Sequence, residues 1–373
     1  MPFINDMLES THQQRQQETA LNTENSADGD VVQAHLSSQS ALQSRFRFDV
    51  DAIMEALRGE ILAQDDALQA VEDILKVVRA DITDPRRPLF TALFLGPTGV
   101  GKTEVVRALA RSLHGDADAF CRVDMNTLSQ EHYAAALTGA PPGYVGAKEG
   151  NTLLDQDKLE GSLGRPGIVL FDELEKASPV VLQALLNVFD NGMLTVASGE
   201  RTYSFRNALI FMTSNLGARE IQRYEQRQHT LLGQVFRRSA KWRHSKIEDI
   251  VRNKLLKTFS PEFVNRIDNI TIFNWIEPDL VEQLVDLEIN RLNRRLLKHQ
   301  CRLSVSSEVL SHVAKAGFDR QFGARSLRRA VRRYLEVPFA EYLLSHHQVD
   351  EDEQQLTHYH AVLSGGFVSF TKN

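Results

Sequence analysis

Cysteine and long apolar runs are scarce in this chain, and each scarcity excludes a class of protein. The 373 residues include only two cysteines, Cys121 and Cys301, which lie far apart in the sequence. We therefore expect no disulfide framework, and the apolar stretch 119–123 predicts that Cys121 is a core residue. No apolar run is long enough to cross a bilayer, and the N-terminus lacks the basic and apolar regions of a signal peptide. These absences predict a cytoplasmic protein that is not inserted in a membrane.

An excess of positive charge is also missing. The net charge is −6, and residues 1–45 carry −4 of it, because they hold six acidic residues against two basic ones. The remainder is nearly neutral, which gives no general reason to bind nucleic acid. Residues 1–45 are also rich in Gln, Ser, Thr, Asn and Asp and poor in large apolar side chains, so we expect a disordered polar tail.

The rest of the chain alternates between strand-like and helix-like segments. Apolar runs predict five strands, at residues 89–95, 120–123, 167–171, 208–212 and 270–273. Helical spacing follows most of them, which predicts an α/β fold: an αβα sandwich around a parallel sheet, covering residues 46–275. Residues 276–373 are expected to form a smaller, mostly helical domain. Its predicted elements are helices at 278–299, 307–315 and 324–344 and a terminal β-hairpin.

The most specific motif is a glycine-rich string between the first strand and the first helix of this α/β unit. Residues 96–103 read Gly-Pro-Thr-Gly-Val-Gly-Lys-Thr, the pattern and context of a P-loop. Its glycines let backbone N–H groups close around phosphate oxygens, and the helix that follows adds a positive partial charge. Lys102 would approach the β- and γ-phosphates, and the Thr103 hydroxyl would bind Mg²⁺. The candidate nucleotide ligands of the loop are Gly96, Pro97, Thr98, Gly99, Val100, Gly101, Lys102, Thr103 and Glu104.

Polar residues at the ends of two other predicted strands suit phosphoryl transfer. Asp172 and Glu173 follow the apolar run 168–171, and Asn215 follows the run 208–212. Alone, an Asp-Glu pair at this point is as well explained as a helix N-cap, and Asn215 as part of a turn. After a P-loop, Asp172 becomes a candidate Mg²⁺ ligand, Glu173 a candidate base for the attacking water, and Asn215 a candidate γ-phosphate contact.

Three further features each have a functional and a purely structural interpretation. The string at residues 139–146, Gly-Ala-Pro-Pro-Gly-Tyr-Val-Gly, predicts a loop whose Tyr144 either grips a partner or folds back on the core. Arg266 either reaches another subunit or pairs with Asp268. Arg325, which begins the last long helix, is either a site residue or surface charge.

Taken together, these strings resemble the AAA+ module of the Clp-type ring ATPases, in particular the second ATPase domain of ClpB and its ClpA and ClpC relatives. The resemblance covers the chain from about residue 47 to the C-terminus. The matching strings lie at residues 94–104, 139–146, 171–176, 212–217, 261–268 and 323–325.

The resemblance implies a role for each candidate residue. Lys102 and Thr103 would be the Walker A pair, and Asp172 and Glu173 the Walker B pair, with Glu173 as catalytic base. The remaining catalytic roles would be sensor 1 at Asn215, the arginine finger at Arg266 and sensor 2 at Arg325. Tyr144 and Val145 would be the pore-loop pair that grips a threaded polypeptide, and Ile61 and Leu62 would contact the adenine.

The resemblance also implies partners and an assembly. The expected cofactors are ATP and Mg²⁺, the expected substrates are proteins, and an arginine finger acting across subunits requires a ring, usually a hexamer. The polar tail is a candidate adaptor-binding segment. The tripeptide Leu232-Gly233-Gln234 stands where ClpP-binding members carry an apolar residue, Gly and Phe or Leu, so docking to ClpP is not expected.

Two departures from the family pattern concern the nucleotide pocket, where Ala63 replaces a glycine and Ser326 replaces a proline. We expect a single-ring ATPase that unfolds, threads or remodels proteins. The alternatives are a nucleic-acid remodelling or loading ATPase, the regulatory ATPase subunit of a protease, and an assembly scaffold that uses ATP only as a structural ligand.

Overall fold

A computed structural model describes residues 43–129, 153–162, 164–195, 202–228, 240–319, 323–346 and 356–372. Among these residues, no helix is both long and apolar enough to cross a membrane. Both cysteines are buried and unpaired, as expected for Cys121.

A five-stranded parallel sheet lies at the centre of the first unit, and each of the five predicted strands is confirmed. The first seven strands are β1 (Phe90–Leu95), β2 (Cys121–Asp124), β3 (Gly167–Asp172), β4 (Met193–Thr195), β5 (Thr202–Ser204), β6 (Ala208–Ser214) and β7 (Asn269–Ile272). The central sheet has the order β2-β3-β6-β1-β7, and every neighbouring pair is parallel. The short strands β4 and β5 pair with each other in a separate antiparallel ribbon that the sequence analysis missed.

Helices cover both faces of this sheet. They are α1 (Val50–Glu60), α2 (Asp65–Arg79), α3 (Lys102–His114), α4 (Gln156–Glu160), α5 (Pro179–Asn191), α6 (Ala218–Gln228), α7 (Ala240–Thr258) and α8 (Pro261–Asn265). Every residue of β3 and β6 is buried, as expected for strands covered on two sides. Two hydrophobic clusters, one on each face, form the core of the unit.

The C-terminal unit has its own hydrophobic core. Its elements are α9 (Val281–Leu296), β8 (Cys301–Val305), α10 (Ser307–Gly317), α11 (Ala324–Val331), α12 (Val337–His346), β9 (Thr357–Ser364) and β10 (Phe367–Lys372). The predicted hairpin forms between β9 and β10, but the prediction was incomplete because β8 adds a third strand, parallel to β9. We refer to this unit as the lid.

The predicted continuous helix at 324–344 is wrong in one detail. Residues Arg332–Glu336, between α11 and α12, form a π-helical turn. Pro338 lies just after this turn and has no N–H to donate to the carbonyl of Tyr334, while its ring would clash with that carbonyl. Widening the preceding turn relieves the clash without ending the helix.

Candidate functional site

A cleft of about 300 Å³ opens where the carboxyl ends of β1, β3 and β6 meet the lid. Parallel strands place their carboxyl ends on one edge of the sheet, which is where α/β proteins bind ligands. Of the predicted site residues, the cleft is lined by Ile61, Leu62, Thr98, Gly99, Val100, Gly101, Lys102, Thr103, Glu104, Asp172, Glu173, Asn215 and Arg325. Strands and helices from opposite ends of the chain thus bring together most of the predicted set.

The glycine-rich loop needs its glycines for two different reasons. Gly96 has φ +145°, and a Cβ there would lie 2.9 Å from the carbonyl oxygen of Phe273. Gly101 has φ +106°, and its Cβ would meet open space, so only its backbone conformation demands glycine. Gly101 caps α3, which therefore presents its N-terminal N–H groups to the cleft.

Lys102, the first residue of α3, is only 8% exposed and folds back over the loop. Its Nζ donates to the carbonyl oxygens of Gly96 (2.7 Å) and Pro97 (2.8 Å) and to Oδ1 of Asn215 (3.0 Å). Gly96 and Pro97 thus contribute carbonyl groups behind the cleft rather than lining it. Burial lowers the pKa of Lys102 to about 8, although the nearby carboxylates, chiefly Glu175, oppose this shift.

Asp172 and Glu173 occupy the end of β3. One oxygen of the Asp172 carboxylate accepts a hydrogen bond from the Thr213 hydroxyl. The other forms an ion pair with Arg122 at 2.6 Å. Glu173 has φ +57°, a left-handed conformation that costs energy for a residue with a side chain. Its N–H donates to the Thr213 hydroxyl (3.1 Å), which helps to hold this strained turn.

Asn215 links the end of β6 to the glycine-rich loop and to Glu175, which follows β3. Besides accepting from Lys102, its Oδ1 accepts from the Thr98 hydroxyl at 3.4 Å. Its N–H donates to Oε1 of Glu175 at 3.2 Å. The other carboxylate oxygen of Glu175 is buried and has no partner among the described residues.

The lid contacts the glycine-rich loop directly. The Ala324 N–H donates to the Gly99 carbonyl at 2.9 Å, and a Cβ on Gly323 would lie 2.7 Å from the same oxygen. This contact fixes the start of α11 beside the loop, and Arg325, one residue further, lines the cleft.

Ion pairs join the two units around the cleft. Glu104 of α3 pairs with Arg291 of α9 at 2.8 Å and lies 3.8 Å from Arg328 of α11. Glu288 of α9 also pairs with both of these arginines. Glu104, predicted as a nucleotide ligand, thus directs its carboxylate to the lid.

A second carboxylate on the first unit makes a similar bridge. Glu60, at the end of α1, pairs with Arg111 of α3 at 2.6 Å and with Arg294 of α9 at 3.1 Å. Although burial opposes it, the two guanidinium groups hold the pKa of Glu60 below its usual value.

The segment after α1 forms the opposite wall of the cleft. Ile61 is buried and Leu62 half-buried, and both line the cleft. Ala63, which replaces the family's glycine, has φ +56°. Gln64 is 2% exposed and is tied to Asn274 by two hydrogen bonds, Nε2 to its carbonyl (3.0 Å) and Oε1 from its N–H (2.9 Å). Gln64 therefore fixes this wall to the crossover that leads into the lid.

Arg266 is not part of the cleft. It follows α8, and its carbonyl accepts from the hydroxyl of Thr91, near the start of β1. Since β1 spans six residues, the glycine-rich loop is roughly 17 Å away along the strand. Its guanidinium pairs with Asp190 at 2.6 Å, so the predicted alternative partner, Asp268, is wrong. Asp268 instead accepts from Thr91.

Tyr144 and Val145, the predicted polypeptide contacts, lie outside the described residues, as does the tripeptide 232–234. Sequence reasoning also missed four residues that support the site: Gln64, Arg122, Thr213 and Glu175. Arg122 lies on a predicted strand and Thr213 directly follows one, but the sheet order that brings both residues to β3 is not specified by the local sequence.

Comparison with known proteins agrees with this geometry. Residues 87–270 match the family model described as AAA domain (Cdc48 subfamily), and residues 276–356 match the C-terminal, D2-small domain of ClpB protein. A Pseudomonas aeruginosa protein named ATP-dependent protease ATP-binding subunit-like protein AmiB is 70% identical over 348 residues, which cover 93% of this chain and 94% of the relative.

The chain belongs to the Clp-type AAA+ ATPase family. A Rhodococcus erythropolis relative, named ATP-dependent protease ATP-binding subunit-like protein, is 43% identical over 80% of this chain and 84% of its own length. ClpC of Staphylococcus saprophyticus is 37% identical over 82% of this chain, but the match covers only 36% of ClpC. The expected family and fold are thus confirmed, and the chain is an ATP-binding ATPase. Clp ATPases as a family act on protein substrates and oligomerise.

Proposed function

We propose that the cleft binds and hydrolyses Mg²⁺-ATP and that a ring of these subunits uses the energy to unfold, thread or remodel proteins. The observation that carries the hydrolytic part is the convergence of Lys102, Asp172, Glu173, Asn215 and Arg325 on one cleft. Phosphoryl transfer needs mainly positioning and charge neutralisation, and this set offers both.

The donor set fits magnesium. Mg²⁺ keeps several waters and takes few protein ligands beside substrate phosphates, so a hydroxyl at Thr103 and a carboxylate at Asp172 are sufficient. Consistent with this chemistry, the described residues contain no cluster of three or more carboxylate, histidine or cysteine ligands that would form a self-sufficient metal site. When bound, the ion neutralises charge on the β- and γ-phosphates.

The residues of the cleft have separate roles in nucleotide binding and hydrolysis. Lys102 exchanges its contacts with the loop carbonyls and Asn215 for phosphate oxygens. Glu173 orients and polarises the attacking water, and Asn215 and Arg325 approach the γ-phosphate from β6 and from the lid. Ile61 and Leu62 offer the apolar surface for the base.

Exchange of glutamate for glutamine at position 173 tests this division. Glu173→Gln removes the water-polarising carboxylate but no phosphate ligand, so we expect normal ATP binding, very slow hydrolysis and accumulation of stable rings. Lys102→Ala should instead lose nucleotide binding. Wild-type turnover by Glu173→Gln, measured as phosphate release, would remove Glu173 from the mechanism.

We further propose a cytoplasmic hexamer in which Tyr144 and Val145 grip the substrate and residues 1–45 recruit an adaptor. Arg266 would serve the site of a neighbouring subunit, because it lies at the far end of β1 from its own glycine-rich loop. The tail's boundary is best placed before Arg45, since that residue pairs with Asp81 at 3.2 Å.

The names of the relatives favour a second candidate, the ATP-binding subunit of a protease. Co-purification with the Glu173→Gln variant separates the two candidates, because a stalled ring retains whatever it engages. A retained peptidase would support the protease subunit, and retained substrate without a peptidase would support the independent remodeller. Because of Gln234, docking to ClpP itself is not part of the proposal.

A further inference from the structure

We propose that Arg122 is a positioning residue that neutralises Asp172 while no metal is bound and is displaced when Mg²⁺ arrives. The inference rests on the proposed function, since it treats Asp172 as the metal-binding carboxylate. Arg122 would thus act as a substitute cation. With Asp172 neutralised in this way, nucleotide binding would depend less on metal than it would if Arg122 were absent.

The first support is the division of the Asp172 carboxylate between two partners. Oδ1 accepts from Thr213, a buried residue of the adjacent strand β6. Oδ2 accepts from a guanidinium nitrogen of Arg122 at 2.6 Å. One oxygen is thus fixed by the sheet, and the other is held by a side chain that also lines the cleft.

The second support is that Asp172 needs a counter-charge. The residue is only 8% exposed, and a buried carboxylate without a partner is costly. Lys102 lies close enough to interact electrostatically, but an ammonium has three protons, and its three acceptors are Gly96, Pro97 and Asn215. Among the described residues, Arg122 is the cation that bonds to Asp172 directly.

The third support is that Arg122 is free to leave. It lies on β2, the edge strand of the sheet. Its backbone is opposite Leu170 of β3, so Arg122 reaches Asp172 with its side chain alone. Its side chain is 52% exposed, whereas that of Asp172 is 12% exposed. A long, exposed side chain can swing into solvent at little cost when a divalent ion takes its place, while the carboxylate stays where the sheet holds it.

Removal of Arg122 therefore has a predictable sign. Without metal, Asp172 would repel nucleotide phosphates more strongly, so metal-free binding should weaken. With metal, no ion pair would have to be broken, so metal-supported binding should strengthen. Both effects raise the ratio of the dissociation constant in EDTA to that in Mg²⁺.

The experiment measures this ratio for MANT-ADP by fluorescence in the full chain. We expect Arg122→Gln to raise it about three- to fivefold, the range of a single partly exposed ion pair. Arg122→Lys, which keeps the charge, should give an intermediate ratio. Electron paramagnetic resonance of Mn²⁺ with ADP should show tighter metal binding in Arg122→Gln, a readout that does not involve turnover.

Arg107→Gln is the matched control. Arg107 lines the same cleft, but its guanidinium pairs with Asp118, so the ratio should stay at the wild-type value. An unchanged or lower ratio in Arg122→Gln would overturn the inference. Loss of MANT-ADP binding by a folded Arg122→Gln would also overturn it, because Arg122 would then be a nucleotide ligand.

Two outcomes keep the inference distinct from the proposed function. If Arg122→Gln does not fold, the ratio in Arg122→Met, which also removes the charge, decides, and a wild-type value there would contradict the displacement. A wild-type protein that binds no MANT-ADP would overturn the proposed function, and the inference with it.

Discussion

At the scale of single residues, two positions of the site have a strained backbone that the sequence pattern does not reveal. Ala63 and Glu173 both adopt left-handed conformations, at φ +56° and φ +57°. At Glu173 the strain lies on the residue that we propose as catalytic base. At Ala63 it lies on the wall of the cleft, in a segment fixed by Gln64, and there it can be relieved.

We expect Ala63→Gly to raise the free energy of unfolding by about 0.5–1 kcal/mol, because glycine adopts a positive φ without a steric penalty. The matched control is Ala56→Gly, at an exposed position inside α1, where the same exchange should cost about 1 kcal/mol. Urea unfolding of both variants checks the signs. If Ala63→Gly destabilises as much as Ala56→Gly, the conformation at position 63 is not strained.

Lys102 gives a second prediction at this scale, about pH. Burial lowers its pKa from 10.5 to about 8, so above pH 8 the folded state has lost a proton that the unfolded state still binds. The cost of burying the charge is therefore present at neutral pH and relieved as pH rises. We expect wild type to gain about 1 kcal/mol of stability relative to Lys102→Met between pH 7 and 9. Urea titrations at both pH values test this, and a constant difference would show that Lys102 is not desolvated.

At the scale of elements, ion pairs join the lid to α3. If the Glu104–Arg291 pair stabilises the closed cleft, its loss should weaken nucleotide binding even though neither side chain needs to touch phosphate. We expect a double-mutant cycle of Glu104→Gln and Arg291→Gln to give a coupling of about 0.5–1 kcal/mol in MANT-ADP affinity, which falls as salt is added.

The Lys254–Glu220 pair, at 3.1 Å between α7 and α6, provides the control cycle. Its side chains are somewhat more exposed than those of Glu104 and Arg291, and neither lines the cleft, so its coupling in MANT-ADP affinity should be zero. A zero coupling for Glu104 and Arg291 as well would mean that this bridge forms without affecting the site.

The length and pairing of the strands determine which parts of the fold could be predicted from the sequence. Strands β1, β3 and β6 of the central sheet are mainly apolar runs, so their positions followed from local pattern. Strand β8 was missed because it is five residues long and its partner, β9, begins more than fifty residues later. The ion pair of Arg122 was missed because it depends on β2 lying beside β3, which no local pattern specifies.

At the scale of the whole molecule, the position of Arg266 separates two mechanisms. Within one subunit it pairs with Asp190 and is roughly the length of β1 from the glycine-rich loop, so it cannot assist its own site without a large movement. A subunit that works alone would therefore not need Arg266 for turnover. A ring would need it, because the residue would complete the site next door.

Subunit mixing tests this directly. An arginine finger contributes on the order of 10³–10⁵ in rate, so Arg266→Ala should abolish turnover while MANT-ADP still binds. Lys102→Ala should be inactive for the opposite reason, since its own site cannot hold nucleotide. Mixed together, the two variants should regain activity, because an intact Arg266 from a Lys102→Ala subunit can serve the intact loop of an Arg266→Ala neighbour. Phosphate release from the mixture, compared with each variant alone, measures the gain. An Arg266→Ala protein with wild-type turnover, or a mixture no more active than its parts, would contradict action across subunits.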